Sequence, residues 1–142
     1  MLVRLMYASR AVPAVDQEEL IAILKKSKAN NARSGVTGAL CLCSTERIFI
    51  QVLEGGRTAV NTLYRRILAD TRHTDPVLLH HEEIDERRFA GWSMGQVNMQ
   101  RLNPALLLKY SESARLDPYA VSGKATLALF DELVATAAIM GQ

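Results

Sequence analysis

Two side chains inside short apolar runs carry chemistry that their neighbours lack. Tyr7 alternates with Val3, Leu5 and Ser9 in the run Leu2 to Ser9, and Gln51 stands between Phe49 and Leu53 in the run Ile48 to Leu53. A phenol can release an electron and a proton, and a primary amide holds a donor and an acceptor on one rotatable group. Burying such an amide is costly unless something polar shares the site. Gln51 therefore either faces solvent on a half-exposed strand or meets a buried polar partner. Tyr7 either packs its ring with the hydroxyl in water or belongs to that same site. Asn30 and Asn31 either cap the first helix locally, or Asn31 joins Gln51 in presenting complementary donors and acceptors to a bound polar heterocycle. Arg66 either meets a phosphate or pairs with Asp70 at i+4, and Arg72-His73 leaves a similar choice.

Enzyme signatures are mostly missing. Gly35-Val-Thr-Gly38 and Gly55-Gly56 match neither a dinucleotide fingerprint nor a phosphate loop with its closing Lys-Ser/Thr. His73, His80 and His81 lack zinc-ligand spacing, and Ser9 has no nucleophile context. Glu82-Glu83 and Asp85-Glu86 read as a solvated strand end. Cys41 and Cys43, as i,i+2 neighbours on a strand, are poorly placed for a local disulfide and too few for an all-thiolate metal site.

The elements that must hold these residues follow from periodicity. Leu2 to Ser9 is a short strand. Val15, Asp16, Glu19 and Leu20 form a capping box with a hydrophobic staple, opening a helix to about Asn30 that buries Leu20, Ile23, Leu24 and Ser27. Gly35 to Cys43 and Ile48 to Leu53 form a hairpin across the connection Ser44 to Arg47. Val60, Leu63, Tyr64, Ile67 and Leu68 predict a second helix ending near Asp70. Pro76 to Ile84 and Trp92 to Val97 are further strands, the latter with Trp92, Met94 and Gln96 on one face. The order β-α-β-β-α-β-β fits an α/β (α+β) ferredoxin-like sandwich with one extra strand. Asn103-Pro104 starts a helix to about Tyr110, and Ser122 starts another with the stripe Leu127, Phe130, Val134 and Ala137. This C-terminal two-helix extension is suited to cover the sheet face left open by the first helix pair.

Size and charge agree with one domain. The chain has 142 residues, 49% hydrophobic and 23% charged, and a chain of this length buries about 68% of its surface on folding. That composition excludes disordered and collagenous classes. Seventeen basic against fifteen acidic residues leave +2, too little to imply nucleic-acid binding. No stretch reaches the length of a membrane span and the start shows no leader, so a cytoplasmic protein in a reducing compartment is expected.

The motifs Tyr7-Ala-Ser9, Asn30-Asn31-Ala-Arg-Ser-Gly35-Val-Thr-Gly38, Phe49-Ile-Gln51-Val-Leu-Glu-Gly55, Asp70-Thr-Arg-His73 and Arg88-Phe-Ala-Gly-Trp92-Ser-Met94 occur in an order that resembles the BLUF domain, a blue-light sensor that uses flavin. The resemblance covers residues 1–98. Residues 99–142, with Leu106-Leu-Leu-Lys-Tyr-Ser111, resemble the two-helix cap of short stand-alone members and are expected to pack on the same domain. It implies noncovalent FAD between the two helices, with Tyr7 as photochemical donor and Gln51 as the amide that switches its hydrogen bonds. Asn31 would hold the flavin carbonyl edge, and Asn30 and Arg66 would lie near the ribityl phosphate. Asp70, Arg72, His73, Leu24 and Ile67 would line the surroundings, while Ser9, Trp92 and Met94 would couple the pocket to the last strand. The implied output is a downstream protein effector or a homo-oligomer, without enzymatic turnover. A small flavin-dependent redox protein and a ferredoxin-like interaction module without photochemistry are the alternatives.

Overall fold

The computed structural model of the chain describes residues 1–43, 46–97, 102–136 and 139–140. In chain order the elements are β1 (Leu2–Ala11), α1 (Gln17–Ser34), β2 (Thr37–Cys43), β3 (Ile48–Gly56), α2 (Arg57–Ala69), β4 (His73–Ile84), β5 (Gly95–Val97), α3 (Pro104–Tyr110), α4 (Gly123–Ala135) and β6 (Ile139–Met140). They form one sheet in the order β4-β1-β3-β2-β5-β6. β1 lies antiparallel to β3 and β4, and β2 antiparallel to β3, which is the ferredoxin-like arrangement. β5 joins β2 in parallel and makes the sheet mixed, and β6 then pairs antiparallel with β5.

Local chemistry explains most boundaries. The Asp16 carboxylate accepts from the Glu19 amide at 2.8 Å and starts α1. That helix runs four residues past the expected Asn30, because Gly35 takes φ 73° and closes it by donating its backbone N–H to the Asn31 carbonyl. Asn30 and Asn31 are thus helix-interior residues rather than caps. Asn103 and Ser122 cap α3 and α4 through Ala105 and Ala125. β4 begins at His73 rather than Pro76. Its first residues pair with Ala11 and Arg10, and Pro76 falls in a register shift on an edge strand, where a missing N–H is tolerated. A second shift leaves Leu79 bulged, since Met6 opposes His80 and Tyr7 opposes Leu78. A Cβ at Gly123 would stand 1.8 Å from the Leu79 carbonyl oxygen, so glycine is what lets α4 start against that bulge.

Two cores flank the sheet. Val3, Leu5, Tyr7, Leu40 and Leu53 pack with Val36, Val60 and Met94, bordered by Leu24, Leu63, Tyr64 and Ile67 from α1 and α2. On the other face Met6, Ala8, Ile48, Ile50 and Val52 meet Leu107 of α3 and Leu127, Phe130 and Leu133 of α4. The α4 stripe is carried by Thr126, Leu127, Leu129, Phe130 and Leu133, with Val134 at its margin. The α2 stripe is shorter than its periodicity suggested, as Leu68 is exposed. The expected roles of Leu20, Cys43 and Ala137, the Ser44–Thr45 stretch of the connection and the 98/99 boundary lie outside the described residues.

The second core contains a buried ion pair. Arg4 donates to Glu54 at 2.7 Å and also contacts Glu82, so Glu82 is part of this cluster rather than of a solvated strand end. The Glu54 carboxylate accepts in addition from the backbone amides of Arg88 and Phe89, at 3.2 and 2.7 Å. Fully enclosed and multiply hydrogen-bonded, it ties the segment after β4 to the centre of the sheet.

Candidate functional site

Tyr7 and Gln51 oppose one another in the β1–β3 register, both directed to the α1–α2 face and both buried. The Tyr7 hydroxyl donates to Gln51 Oε1 at 2.5 Å, and Gln51 Nε2 donates to Met94 Sδ at 3.3 Å. The amide is therefore polarised along one line, with phenol at its acceptor end and thioether at its donor end. Burial pushes the Tyr7 phenol well above its usual range, with Tyr64 and the charge of Asp70 adding to the effect. The phenol thus keeps its proton at any physiological pH.

These residues line a cavity of about 120 Å³ between sheet and helices, walled by Ile23, Leu40, Phe49, Leu63 and Ile67 and edged by Ser27, Asn31, Asp70, Arg72 and His73. It adjoins a wider groove of about 570 Å³ between α1 and α2, where Lys26, Asn30, Arg33 and Arg66 join the lining. Asn31 is buried and donates Nδ2 to the Ser93 carbonyl at 3.1 Å, linking α1 to the segment that leads into β5. Asn30 is exposed and receives Arg33 Nη2 at 2.6 Å.

Asp70 pairs with Arg72 rather than with Arg66. Arg72 Nε and Nη2 grip both carboxylate oxygens, holding the Asp70 carboxyl down at about 2. Arg66 remains an exposed cation on the groove wall. His73 bridges two elements, with Nε2 at 2.5 Å from the Ile67 carbonyl and Nδ1 at 2.7 Å from Ser9 Oγ. Since a carbonyl only accepts, Nε2 carries a proton. In the neutral ring, Nδ1 then accepts from the Ser9 hydroxyl. Tyr7 lies edge-on to this ring, with centroids 6.5 Å apart.

Two expected placements are corrected. Trp92 and Met94 do not share a face, because β5 begins only at Gly95 and Trp92 sits in a turn closed by its amide on the Phe89 carbonyl. Met94 enters the core beside Gln51, while Trp92 packs against the α3–α4 core, with its indole nitrogen buried and without a hydrogen-bond partner among the described residues. Leu24 belongs to the apolar cluster beside the cavity, and Ile23 takes the lining position. Ile23, Ser27, Leu40, Phe49 and Leu63 were not singled out as lining residues. The i,i+4 spacing of Ile23 and Ser27 in α1 and the shared parity of Phe49 and Gln51 in β3 were the available signals.

The family model for BLUF, sensors of blue-light using FAD, matches residues 2–95. The chain belongs to the BLUF family. Among solved structures, BlrB, described as a BLUF protein in its dark state, is 34% identical with a TM-score of 0.80, covering 96% of each chain. The photo-activated state of BlsA is 29% identical with a TM-score of 0.82, covering 94% of this chain and 95% of the other. The beta subunit of the photoactivated adenylate cyclase of Euglena longa is 34% identical over 102 residues, 71% of this chain but 12% of that protein. The chain thus spans a small part of the curated relatives it matches, and the matched part is a photosensor module.

FAD is the cofactor of BLUF sensors, and the donor set suits it. A flat ring system needs apolar walls, which Ile23, Leu40, Phe49, Leu63 and Ile67 provide. A pyrimidine-like edge needs amides, which Asn31 and Gln51 provide, and a phosphate-bearing tail needs cations such as Lys26, Arg33 and Arg66 in the adjoining groove.

Proposed function

We propose that this chain is a blue-light receptor in which Tyr7 and Gln51 form the switch and FAD occupies the cavity they line. The hydrogen bond from Tyr7 to Gln51, continued to Met94, carries this reading. When bound, the flavin supplies light absorption and, once excited, a strong oxidant. Tyr7 is the one phenol lining the cavity among the described residues, and its retained proton points at the Gln51 carbonyl oxygen. Gln51 can then turn its amide, exchanging the donor it shows Met94 for an acceptor. Asn31 orients the cofactor edge, and Ser9 with His73 braces β1 against the last turn of α2. Leu24 and Ile67 pack the α1 and α2 walls, Asp70 and Arg72 close the mouth, and Asn30 and Arg66 face the phosphate-bearing tail.

Residues 1–98 act as the sensing unit, and 99–142 as a helical extension of the same domain. Output passes by contact to a downstream protein effector or a homo-oligomer in the cytoplasm. The chain itself performs no enzymatic turnover and engages neither nucleic acid nor membrane. Its solved relatives include a light-regulated bacterial adenylyl cyclase, which supports the idea of effector coupling. Among the described residues no helix is long and apolar enough to cross a membrane.

Purified protein is expected to carry FAD at near-unit occupancy and to show a reversible red-shift of its absorption under blue light. Tyr7→Phe should keep the fold and the cofactor while losing the long-lived shifted state. A chain that binds no FAD natively or on reconstitution contradicts the proposal, as does a normal photoproduct in Tyr7→Phe at equal occupancy. Sustained flavin reduction by a nicotinamide or thiol would favour a redox protein instead.

A further inference from the structure

The segment Asp85 to Met94, between β4 and β5, belongs to no strand or helix, so separate anchors rather than a ladder set its course. Arg87 Nη1 donates to Thr37 Oγ1 at 3.0 Å, and the amides of Arg88 and Phe89 end on the Glu54 carboxylate. The Trp92 amide donates to the Phe89 carbonyl at 3.1 Å, and the Trp92 carbonyl accepts from the Gly38 amide at 3.0 Å. Last come the Ser93 carbonyl, which accepts from Asn31, and Met94 Sδ, which accepts from Gln51. Of these anchors Glu54 is the one that is both charged and fully enclosed. Its Oε1 accepts from Phe89, while its Oε2 accepts from the Arg88 amide and from Arg4 Nε at 2.8 Å. Hydrogen bonds to a carboxylate are about twice as strong as neutral ones, which makes this the segment's strongest polar attachment. From Phe89 a single turn hands the position on, since the Phe89 carbonyl holds Trp92 and Met94 follows two residues later.

We propose that Glu54 is a positioning residue of the photoswitch: by holding the amides of Arg88 and Phe89 it sets where Met94 stands against the Gln51 amide. The proposal rests on the receptor reading above. Glu54 does not act on the cofactor directly, because it follows Gln51 by three residues on β3 and so points to the opposite face of the sheet. Its influence has one route, along the segment to the thioether that receives Gln51 Nε2. A carboxylate that served only the fold would raise stability and leave the photocycle unchanged. A positioning one changes the photocycle through Met94 and through nothing else.

The test records thermal melts and recovery of the dark spectrum after blue light on the full chain loaded with FAD. Glu54→Gln keeps the shape but turns an NH2 group toward donors, and Glu54→Asp keeps the charge beside Arg4 on a side chain one methylene too short to hold both amides as well. Glu82→Gln is the control, since it weakens the same ion cluster through bonds to Arg4 and His80. Met94→Leu, alone and combined with Glu54→Gln, closes the cycle. Both Glu54 variants should keep FAD and the red-shift while recovery changes by about threefold, in the direction that Met94→Leu changes it. The double variant should recover like Met94→Leu alone, as expected of two positions acting along one route. Glu82→Gln should recover at the wild-type rate whatever its melting temperature. Wild-type recovery in the Glu54 variants or in Met94→Leu, additive effects in the double variant, or an equal change in Glu82→Gln each overturns the proposal and leaves the receptor standing. Failure of both Glu54 variants to fold and hold FAD assigns the carboxylate to the fold and overturns it too. Absence of the red-shift in wild type removes the receptor reading, and this role of Glu54 with it.

Discussion

Along β1 and β3, Tyr7, Gln51 and Leu53 look toward α1 and α2, while the residues between them, Met6, Ala8, Ile50 and Val52, are sealed beneath α3 and α4. The first face keeps a cavity, a polarised phenol–amide pair and an open groove. The second is filled by Phe89, Phe130, Leu129 and Leu133, with one charge cluster locked inside. Two-residue alternation thus lets the same strands serve opposite demands. A void forgoes dispersion contacts, and the turning of the Gln51 amide proposed above needs a side that is not rigidly packed. The face without the cavity is the more densely filled of the two. The Glu54 clamp apart, damage to the second face should appear as unfolding, and damage to the first as altered photochemistry.

The largest expected effect on stability comes from the second face. Phe130→Ala removes a fully buried ring and should cost about 3–5 kcal/mol in denaturant unfolding. A loss below about 1 kcal/mol would show that α4 is only loosely attached. On the first face, Met94→Leu keeps volume and should cost less than about 1.5 kcal/mol, yet it removes the sulfur acceptor of the Gln51 amide. FAD should be retained, while recovery of the dark spectrum changes by about threefold, a fraction of an ordinary hydrogen bond. Unchanged recovery would detach Met94 from the switch.

The smallest effect is at the cavity mouth. Asp70 has a folded-state carboxyl held at about 2 by Arg72, below an unfolded value of about 3.9. Its pairing therefore stabilises the fold fully above about pH 4 and is lost as pH falls toward 2. Asp70→Asn should be less stable than wild type by under about 1 kcal/mol at neutral pH, since the pair is part-exposed. That gap should close on acidification, as followed by thermal melts across the range. A gap that widened in acid would reverse the sign of the assigned pairing.

How far the sequence could be read follows the same division. Parity along single strands was enough to put Gln51 on one face with Phe49 and Leu53 and Tyr7 on one face with Leu5, the family resemblance implied that the two belong to one site, and the cap residues Asp16, Asn103 and Ser122 announced their helices. Contacts between distant segments were not legible. Arg4 and Glu54 are separated by fifty residues, and either alone reads as a solvated charge. Asp70 had two arginines within reach, and only the turn after α2 decided for Arg72. Asn31 looked like a helix end because the polar run around it hid the cap at Gly35. Trp92 and Met94 were assigned one face by alternation, which fails when the strand starts after both. The pairing of β6 had no local signal at all.

The switch itself is tested most directly by the light-minus-dark absorption spectrum of Gln51→Leu at matched FAD occupancy. Leucine approximates the volume of glutamine and carries neither donor nor acceptor, so cofactor binding through the rest of the site should survive. Without an amide to exchange, the reversible red-shift should vanish. A shift of wild-type size in that variant would contradict the central role of Gln51 and pass the switch to another polar group of the cavity.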